Sequence, residues 1–382
     1  MTDYLEGLKE LLPQIRSRRA EIEQARTMPL DIVAGMRKAG VFALGSPSAI
    51  GGAEVAPDDM IRVVETIAEA DGSAGWVAMI AMSANEAGGY MSEQGAKEAY
   101  PDPTAPSAGA AAPIGVAIRE KGGLRMSGRW QFASGINHCE WIWVGGMVHE
   151  DGKPKMTEHG PEIVHVSMPV AEGQIIDTWH VSGMSGTGSN DFACKDVFIP
   201  EQRVWSLFDP TGHRPEPLYQ YPVVSLFVIH PAAVALGIAR AALNELTELA
   251  QKKVPTLSMA VLADRPAAQI DIARAEGRLG AARAFLYDTV GDLWQTVSIG
   301  REPTMRQRAL SRIAAIQAVE VAGDVAHICN VQAGGGAIYS SSDFQRHMRD
   351  AEVVGHHFTV ARHVWEDTGR VLLGRAPLAP VF

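Results

Sequence analysis

A chain of 382 residues with 46% hydrophobic and 20% charged side chains has room for two or three domains and a large core, and its composition excludes fibrous and disordered classes. Its formal net charge of −10 argues against a nucleic-acid partner, because phosphate contacts need clustered Lys and Arg. Three scattered cysteines, Cys139, Cys194 and Cys329, without a CxxC pair, read as reduced thiols of a cytoplasmic protein rather than as a disulfide frame or a zinc site.

The N-terminus mixes charges of both signs and shows no apolar signal core. Leu5, Leu8, Leu12, Ile15 and Ile22 predict an amphipathic helical start over residues 3–26, and Pro29 opens a second helix reaching Lys38. Pro57-Asp58-Asp59 marks the entry to a helix through Glu69, and the small, apolar stretch from Ala74 to Met91 predicts a buried helix with Met79, Met82 and Met91 as core filler. At Pro101-Asp102-Pro103 helical periodicity gives way to short strands. The expected organisation is an N-terminal α-helical domain over 1–102, a middle β domain over 103–215 and a C-terminal four-helix bundle over 216–382.

Ser107 to Ala112 is a run of small residues whose backbone could lie close to a ligand. Strands are expected at 116–118, 124–126, around Trp130, and at 141–144, 163–168 and 197–199. In Gly128-Arg-Trp-Gln-Phe-Ala-Ser-Gly135, Trp130 and Phe132 alternate with Arg129 and Gln131 until Ser134-Gly135 ends the strand. An aromatic wall closing on a hydroxyl suits an isoalloxazine ring, whose face stacks and whose N5 edge needs a hydrogen-bonding partner. An ordinary sandwich strand with a Ser-Gly turn fits the same residues. The loop from Trp179 to Asp191 is rich in glycine and hydroxyls but lacks the P-loop lysine and the GxGxxG spacing.

From Pro222 onward the pattern is helical. The apolar stretch Val223 to Ala239 is interrupted by His230-Pro231 and reads as a buried core helix, not a membrane span. Three more segments follow: Pro266 to Val297, the helix carrying Ile313, Ile316 and Val319, and a last one from Phe344 to Leu373. Gln332-Ala-Gly-Gly-Gly336 is a turn between the last two, too glycine-rich for helix. His356, His357 and His363 come without an HExxH or paired acidic spacing, so no metal is expected.

This order of elements, mostly α with a middle β domain of sandwich or barrel type, resembles the acyl-CoA dehydrogenase fold. The Gly128–Gly135 stretch with His138 and Trp141, and the Trp179–Asp191 loop, are similar to the flavin-dependent, two-component monooxygenase branch of that superfamily. The resemblance places Phe132 on the flavin ring and Ser134 near N5. It implies a reaction of reduced flavin, FMN or FAD, with O2 to a C4a-hydroperoxide and hydroxylation of an aromatic or cyclic small molecule, with a separate NAD(P)H-flavin reductase. Eight residues after the aspartate of Arg349-Asp350, where a dehydrogenase carries its glutamate base, stands Phe358. Seven residues after it stands His357, where the monooxygenases carry a histidine that activates substrate. The resemblance further implies flavin phosphate or tail sites at Thr187, Gly188 and Ser189 and, across a homotetramer interface, at Gln332, Gly334 and Gly335. Gln251-Lys-Lys-Val-Pro-Thr-Leu257 lacks the Arg-x-x-Phe-Gly element that grips FAD, so Lys252 or Lys253 could supply charge but no bidentate fork. Two alternatives stay open: an acyl-CoA dehydrogenase with a displaced base at Glu245 or Glu248, and an inactive homologue of the fold.

Overall fold

The computed structural model describes residues 4–158, 160–209, 212–378 and 382. The expected single helix at the start is three short ones: α1 (Tyr4–Leu8), α2 (Leu11–Ser17) and α3 (Arg19–Ala25). Pro13 has no N–H to continue a helix from α1, and α2 restarts so that Pro13 falls in its first turn, where N–H groups lack intrahelical partners anyway. α4 (Leu30–Lys38), α5 (Pro57–Ala70), α6 (Gly72–Glu86) and α7 (Glu93–Ala99) follow. Asp71 caps α6, accepting the Ala74 N–H at 2.9 Å. Helix α6 is buried along nearly its whole length, as its lack of an apolar stripe requires.

The strands are β1 (Ala108–Glu120), β2 (Gly123–Ala133), β3 (Trp141–Glu150), β4 (Lys153–Pro154), β5 (Met156–Thr157), β6 (Gly160–Pro161), β7 (Ile163–Pro169), β8 (Gln174–Ile176), β9 (Asn190–Pro200) and β10 (Val204–Trp205). One sheet runs β10-β7-β3-β1-β2-β9-β8, with β4 beside β3, and β5 and β6 form a separate ribbon. The β1–β3 pairing is parallel and the others are antiparallel. Stretches 124–126 and the Trp130 run, expected as separate strands, are the two ends of β2. Leu124, Met126, Trp130, Val144, Val166 and Phe192 form the core of the sheet.

Beyond the sheet lie α8 (Pro217–Gln220), α9 (Val223–Ala250), α10 (Pro266–Ser298), α11 (Met305–Ala333), α12 (Asp343–Val354) and α13 (Val364–Leu372). Helix α9 is long and apolar enough to cross a membrane, yet 78% of its most apolar stretch is buried inside the protein, so it is the central core helix. The last predicted segment is interrupted: α12 ends at Val354 and α13 starts at Val364. Gly355 follows α12, the β-branched Thr359 and Val360 favour helix weakly, and the His357 ring turns inward to meet the Trp76 ring edge-on at 5.4 Å. His356 and His357 therefore sit in a turn and not one step apart on a helix. The glycine-rich segment is also more regular than expected: Gln332 closes the last turn of α11, and Gly334–Ile338 form a 3-10 helix.

Candidate functional site

Helix α6, the start of β1, the end of β2, the 179–189 loop, α9 and the turn after α12 enclose a cavity of about 360 Å³. Gly109, Ala110, Ala111 and Ala112, from the small-residue run, supply part of its wall. Met79, expected as core filler, lines the cavity as well, whereas Met82 and Met91 are core.

Ser134 and Phe132 reach this cavity because β2 bulges. On a regular strand Trp130 and Phe132 would share a face. The pairing with β9 slips between Trp130 and Ala133, and Phe132 takes φ +64°, a conformation rare for a bulky residue. Phe132 thereby swings out, 65% exposed, and meets the Trp179 ring edge-on at 6.1 Å. Trp130 stays fully buried and donates Nε1–H to Gly145 O at 2.8 Å. The expected cofactor contact at Trp130 is thus corrected: it is a core residue of the sheet, and the aromatic wall is Phe132 with Trp179.

Ser134 sits at the end of a chain of hydroxyls. Its oxygen accepts Trp76 Nε1–H at 3.1 Å and pairs with Ser189 Oγ at 2.7 Å. Ser189 pairs with Thr187 Oγ1 at 2.7 Å, and Thr187 donates to Met184 O at 2.8 Å. Each hydroxyl carries one proton, so the last bond fixes the others: Thr187 gives its proton to Met184, Ser189 to Thr187, and Ser134 to Ser189. Ser134 is left with a lone pair, not a proton, for the cavity. Gly135 N–H donates to Thr187 O at 2.8 Å and ties this loop to the end of β2. Gly188 lies between the two lining residues in the left-handed region, φ +53°.

The Arg349-Asp350 pair anchors the same loop. Arg349 donates to Ser182 O, and Asp350 Oδ1 accepts Met184 N–H at 2.5 Å. Burial, with Asp71 adding to it, pushes the Asp350 carboxyl up to about 7.

His357 lines the opposite wall, with Nδ1 engaged to Thr359 Oγ1 at 2.8 Å, so Nε2 is the ring nitrogen left for the cavity. Burial lowers its pKa to about 4, which makes it neutral and a poor proton store at neutral pH. Phe358, 61% exposed, also lines the cavity. Neither nominated dehydrogenase base does. Glu245 is bound by Arg19 at 2.5 Å and His347 at 3.0 Å; burial works against its charge, yet these partners hold it down at about 2. Glu248 is exposed. Among the described residues no Asp, Glu, Lys or Arg lines the cavity.

Gln332, Gly334 and Gly335 lie apart from the cavity of their own chain. Gln332 donates to Asp271 at 2.6 Å, and Lys253 is drawn to Ala333 O, the C-terminus of α11. Trp76, Ser83, Trp143 and Phe227 line the cavity without a sequence signal, since each lies in a pattern that reads as core.

Comparison with known proteins identifies the family. Residues 9–102 match the acyl-CoA dehydrogenase N-terminal domain and residues 229–362 match the acyl-CoA dehydrogenase C-terminal domain; the chain belongs to the acyl-CoA dehydrogenase family. An indole-3-acetate monooxygenase of Pseudomonas putida is 32% identical over 98% of this chain and 93% of its own length. A FADH2-dependent resorcinol hydroxylase, oxygenase component, of a Rhizobium species is 29% identical, covering 94% and 90%. The crystal structure of a 3-HSA hydroxylase from Rhodococcus sp. RHA1 superposes with a TM-score of 0.92 at 26% identity, covering 100% of this chain and 99% of that one. Within the family, the chain is a flavin-dependent monooxygenase.

Proposed function

We propose that the cavity holds the isoalloxazine of reduced flavin against Phe132 and Trp179, and beside it an uncharged, flat aromatic substrate. The observation that carries this reading is the lone pair of Ser134. Reduced flavin has an N–H at N5, which Ser134 can accept; oxidised flavin has an acceptor there, which meets another acceptor. Bound reduced flavin supplies the electrons that activate O2. Ser134 orients the N5 edge, Trp76 holds Ser134, and the apolar walls from Met79, Ile80, Phe227 and Pro231 keep water out. His357 Nε2 positions the substrate by a hydrogen bond.

The substrate class follows from the lining: with no Lys or Arg among its described residues, the cavity favours a substrate that enters uncharged. The relatives' names, an indole-3-acetate monooxygenase and a resorcinol hydroxylase, favour an aromatic ring. The second name also describes an oxygenase component, which supports a separate NAD(P)H-flavin reductase for this chain. FMN or a loosely held FAD suits the missing arginine fork at 251–257. We read the chain as a homotetramer in which Gln332, Gly334 and Gly335 reach a neighbour's flavin: Val331, Ile338 and Tyr339 stand exposed around them, as an uncovered interface would. Three free cysteines suit the cytoplasm.

The test is anaerobic titration with reduced and oxidised FMN and FAD, followed by O2 and an aromatic substrate panel. Tighter binding of reduced flavin and reductase-dependent hydroxylation are expected. Tightly held oxidised FAD, bleached directly by an acyl-CoA, would return the protein to the dehydrogenases.

A further inference from the structure

His357 can orient a substrate but stores a proton poorly at neutral pH, which leaves open where the proton of a weakly acidic substrate goes. A second array faces the same cavity from α6 and α9. Ser83 and Glu86 are three residues apart on α6 and so share a face. Ser83 lines the cavity, and its hydroxyl meets His230 Nδ1 of α9 at 2.9 Å. His230 is 1% exposed, and its Nε2 lies 4.0 Å from Glu86 Oε1. Glu86 is wholly buried, and neither of its oxygens nor His230 Nε2 has a hydrogen-bond partner among the described residues.

A buried, unpartnered carboxyl costs stability, and the chain makes room for it. A Cβ on Gly45 would stand 2.3 Å from Glu86 Cγ, so a side chain there would take the place Glu86 fills. A core built for packing alone would carry an apolar residue at 86. A strongly perturbed acid next to a histidine that opens on a cleft is the pattern of a working site.

We propose that Ser83, His230 and Glu86 form a proton relay that ionises an aromatic substrate bearing an acidic O–H or N–H. This deepens the reading of the cavity as a substrate site and rests on it. The substrate O–H or N–H bond breaks and its electron pair stays on the substrate; the proton passes to Ser83 Oγ. Ser83 gives its own proton to His230 Nδ1, and His230 gives its Nε2 proton to a Glu86 carboxylate oxygen. One proton has then moved from substrate to Glu86, and the imidazole remains neutral in its other tautomer. An approach of about 1 Å by the Glu86 carboxyl brings it into hydrogen-bond range. The path runs backwards when product leaves.

The proton affinities run the required way. Burial pushes Glu86 up to about 8, while burial lowers His230 to about 3, so the histidine passes a proton on and the carboxylate keeps it. The titratable groups facing Glu86 are His230 from α9, Tyr219 from α8 and Tyr90 just beyond α6, both tyrosines being raised. The acceptor is the ionised form of Glu86, so the relay strengthens as pH rises toward about 8.

The probe is 4-nitrophenol, whose anion has its own visible band, bound to enzyme loaded with reduced flavin under anaerobic conditions, where no turnover occurs. In the wild type the anion band should grow in after binding, and faster as pH rises toward about 8. Glu86→Gln and Ser83→Ala should each slow the appearance of the bound anion about tenfold at fixed pH, read by stopped-flow absorbance after mixing the neutral phenol with enzyme. Ser83→Ala leaves Glu86 in place and removes only the hydroxyl between the cavity and His230 Nδ1, so this smaller change keeps the test decisive if the Glu86 variant folds poorly. An unchanged rate of anion formation in both variants, or a slowing seen with His357→Ala and with neither relay variant, overturns the relay. Failure of 4-nitrophenol to bind while reduced flavin still does also overturns it, and leaves the flavin reading standing.

Discussion

The direction of the hydroxyl chain makes Ser189→Ala the most informative substitution. In the wild type the Ser134 proton goes to Ser189 and the cavity meets a lone pair. Alanine at 189 removes that acceptor, and Ser134 can then turn its proton toward N5 of oxidised flavin while still accepting N5–H of the reduced form. Oxidised flavin gains one hydrogen bond, about 1 kcal/mol net, which is about fivefold in affinity. Reduced flavin gains nothing. The preference for the reduced form should therefore narrow about fivefold, and the midpoint potential of bound flavin should fall by about 20 mV for the two-electron couple. Thr187→Val should act in the same direction, because Ser189 loses its acceptor and can donate to Ser134, turning the Ser134 proton outward. Anaerobic titration with both redox forms gives the ratio, and a redox titration gives the potential. An unchanged or wider preference in both variants would refute the proton order and remove the argument from Ser134.

Ser134→Ala should lower the ratio of product to H2O2 and cost about 1–3 kcal/mol of stability, because Trp76 Nε1–H loses its acceptor in a buried site; chemical denaturation and an oxygen-electrode coupling assay measure the two effects. His357→Ala should reduce coupling about tenfold, the worth of one substrate hydrogen bond of about 1.4 kcal/mol, while replacing the exposed His356 should cost less; equal loss in both would mean that the turn does not orient substrate through Nε2. Stability should peak near pH 6.5. The buried His165 and His230, lowered to about 3, and the half-buried His357, lowered to about 4, are neutral in the fold; the stability they confer is complete above their unfolded value of about 6.5 and is lost as pH falls toward 3 to 4, at up to about 1.4 kcal/mol per unit each. Glu86 and Asp350, raised to about 8 and 7, act with the opposite sign, their stabilising protons being lost as pH rises through those values. Between about pH 7 and 8 the Glu86 slope remains, and Glu86→Gln should flatten it in a thermal-melt series; an unchanged slope would show that Glu86 is not buried neutral.

The elements were legible where periodicity and punctuation agree. Pro57-Asp58-Asp59 opens α5, and the apolar run from Val223, interrupted by His230-Pro231, is a core helix with 78% of its most apolar stretch buried. What was not legible depends on contacts across the chain. The bulge that parts Phe132 from Trp130 is a pairing slip against β9, and nothing within 128–135 announces it. The interruption after Val354 has only Gly355 as a local sign; the contact of His357 with Trp76 lies far off in sequence. Ser134 and His357 could be singled out, but the proton order and the depressed pKa that decide their roles arise from Ser189, Thr187, Thr359 and burial.

Those two corrections separate three tasks that a single hydroxyl and a single histidine would otherwise share. A histidine near its ordinary pKa could both hold a substrate and take its proton. Burial at 357 leaves the holding and removes the taking, in a cavity whose described lining has no carboxylate or ammonium to replace it. The acid with the needed affinity is behind the wall, at Glu86, and reaches the cavity only through His230 and Ser83. Keeping that charge one layer back has a physical advantage for an oxygenase. The cavity stays apolar and dry, which favours transfer of oxygen to the ring over its loss to water as H2O2, while the proton still has a route out. On this view the absence of charged residues from the lining and the presence of an unpartnered buried carboxyl are one design, and neither is intelligible without the other.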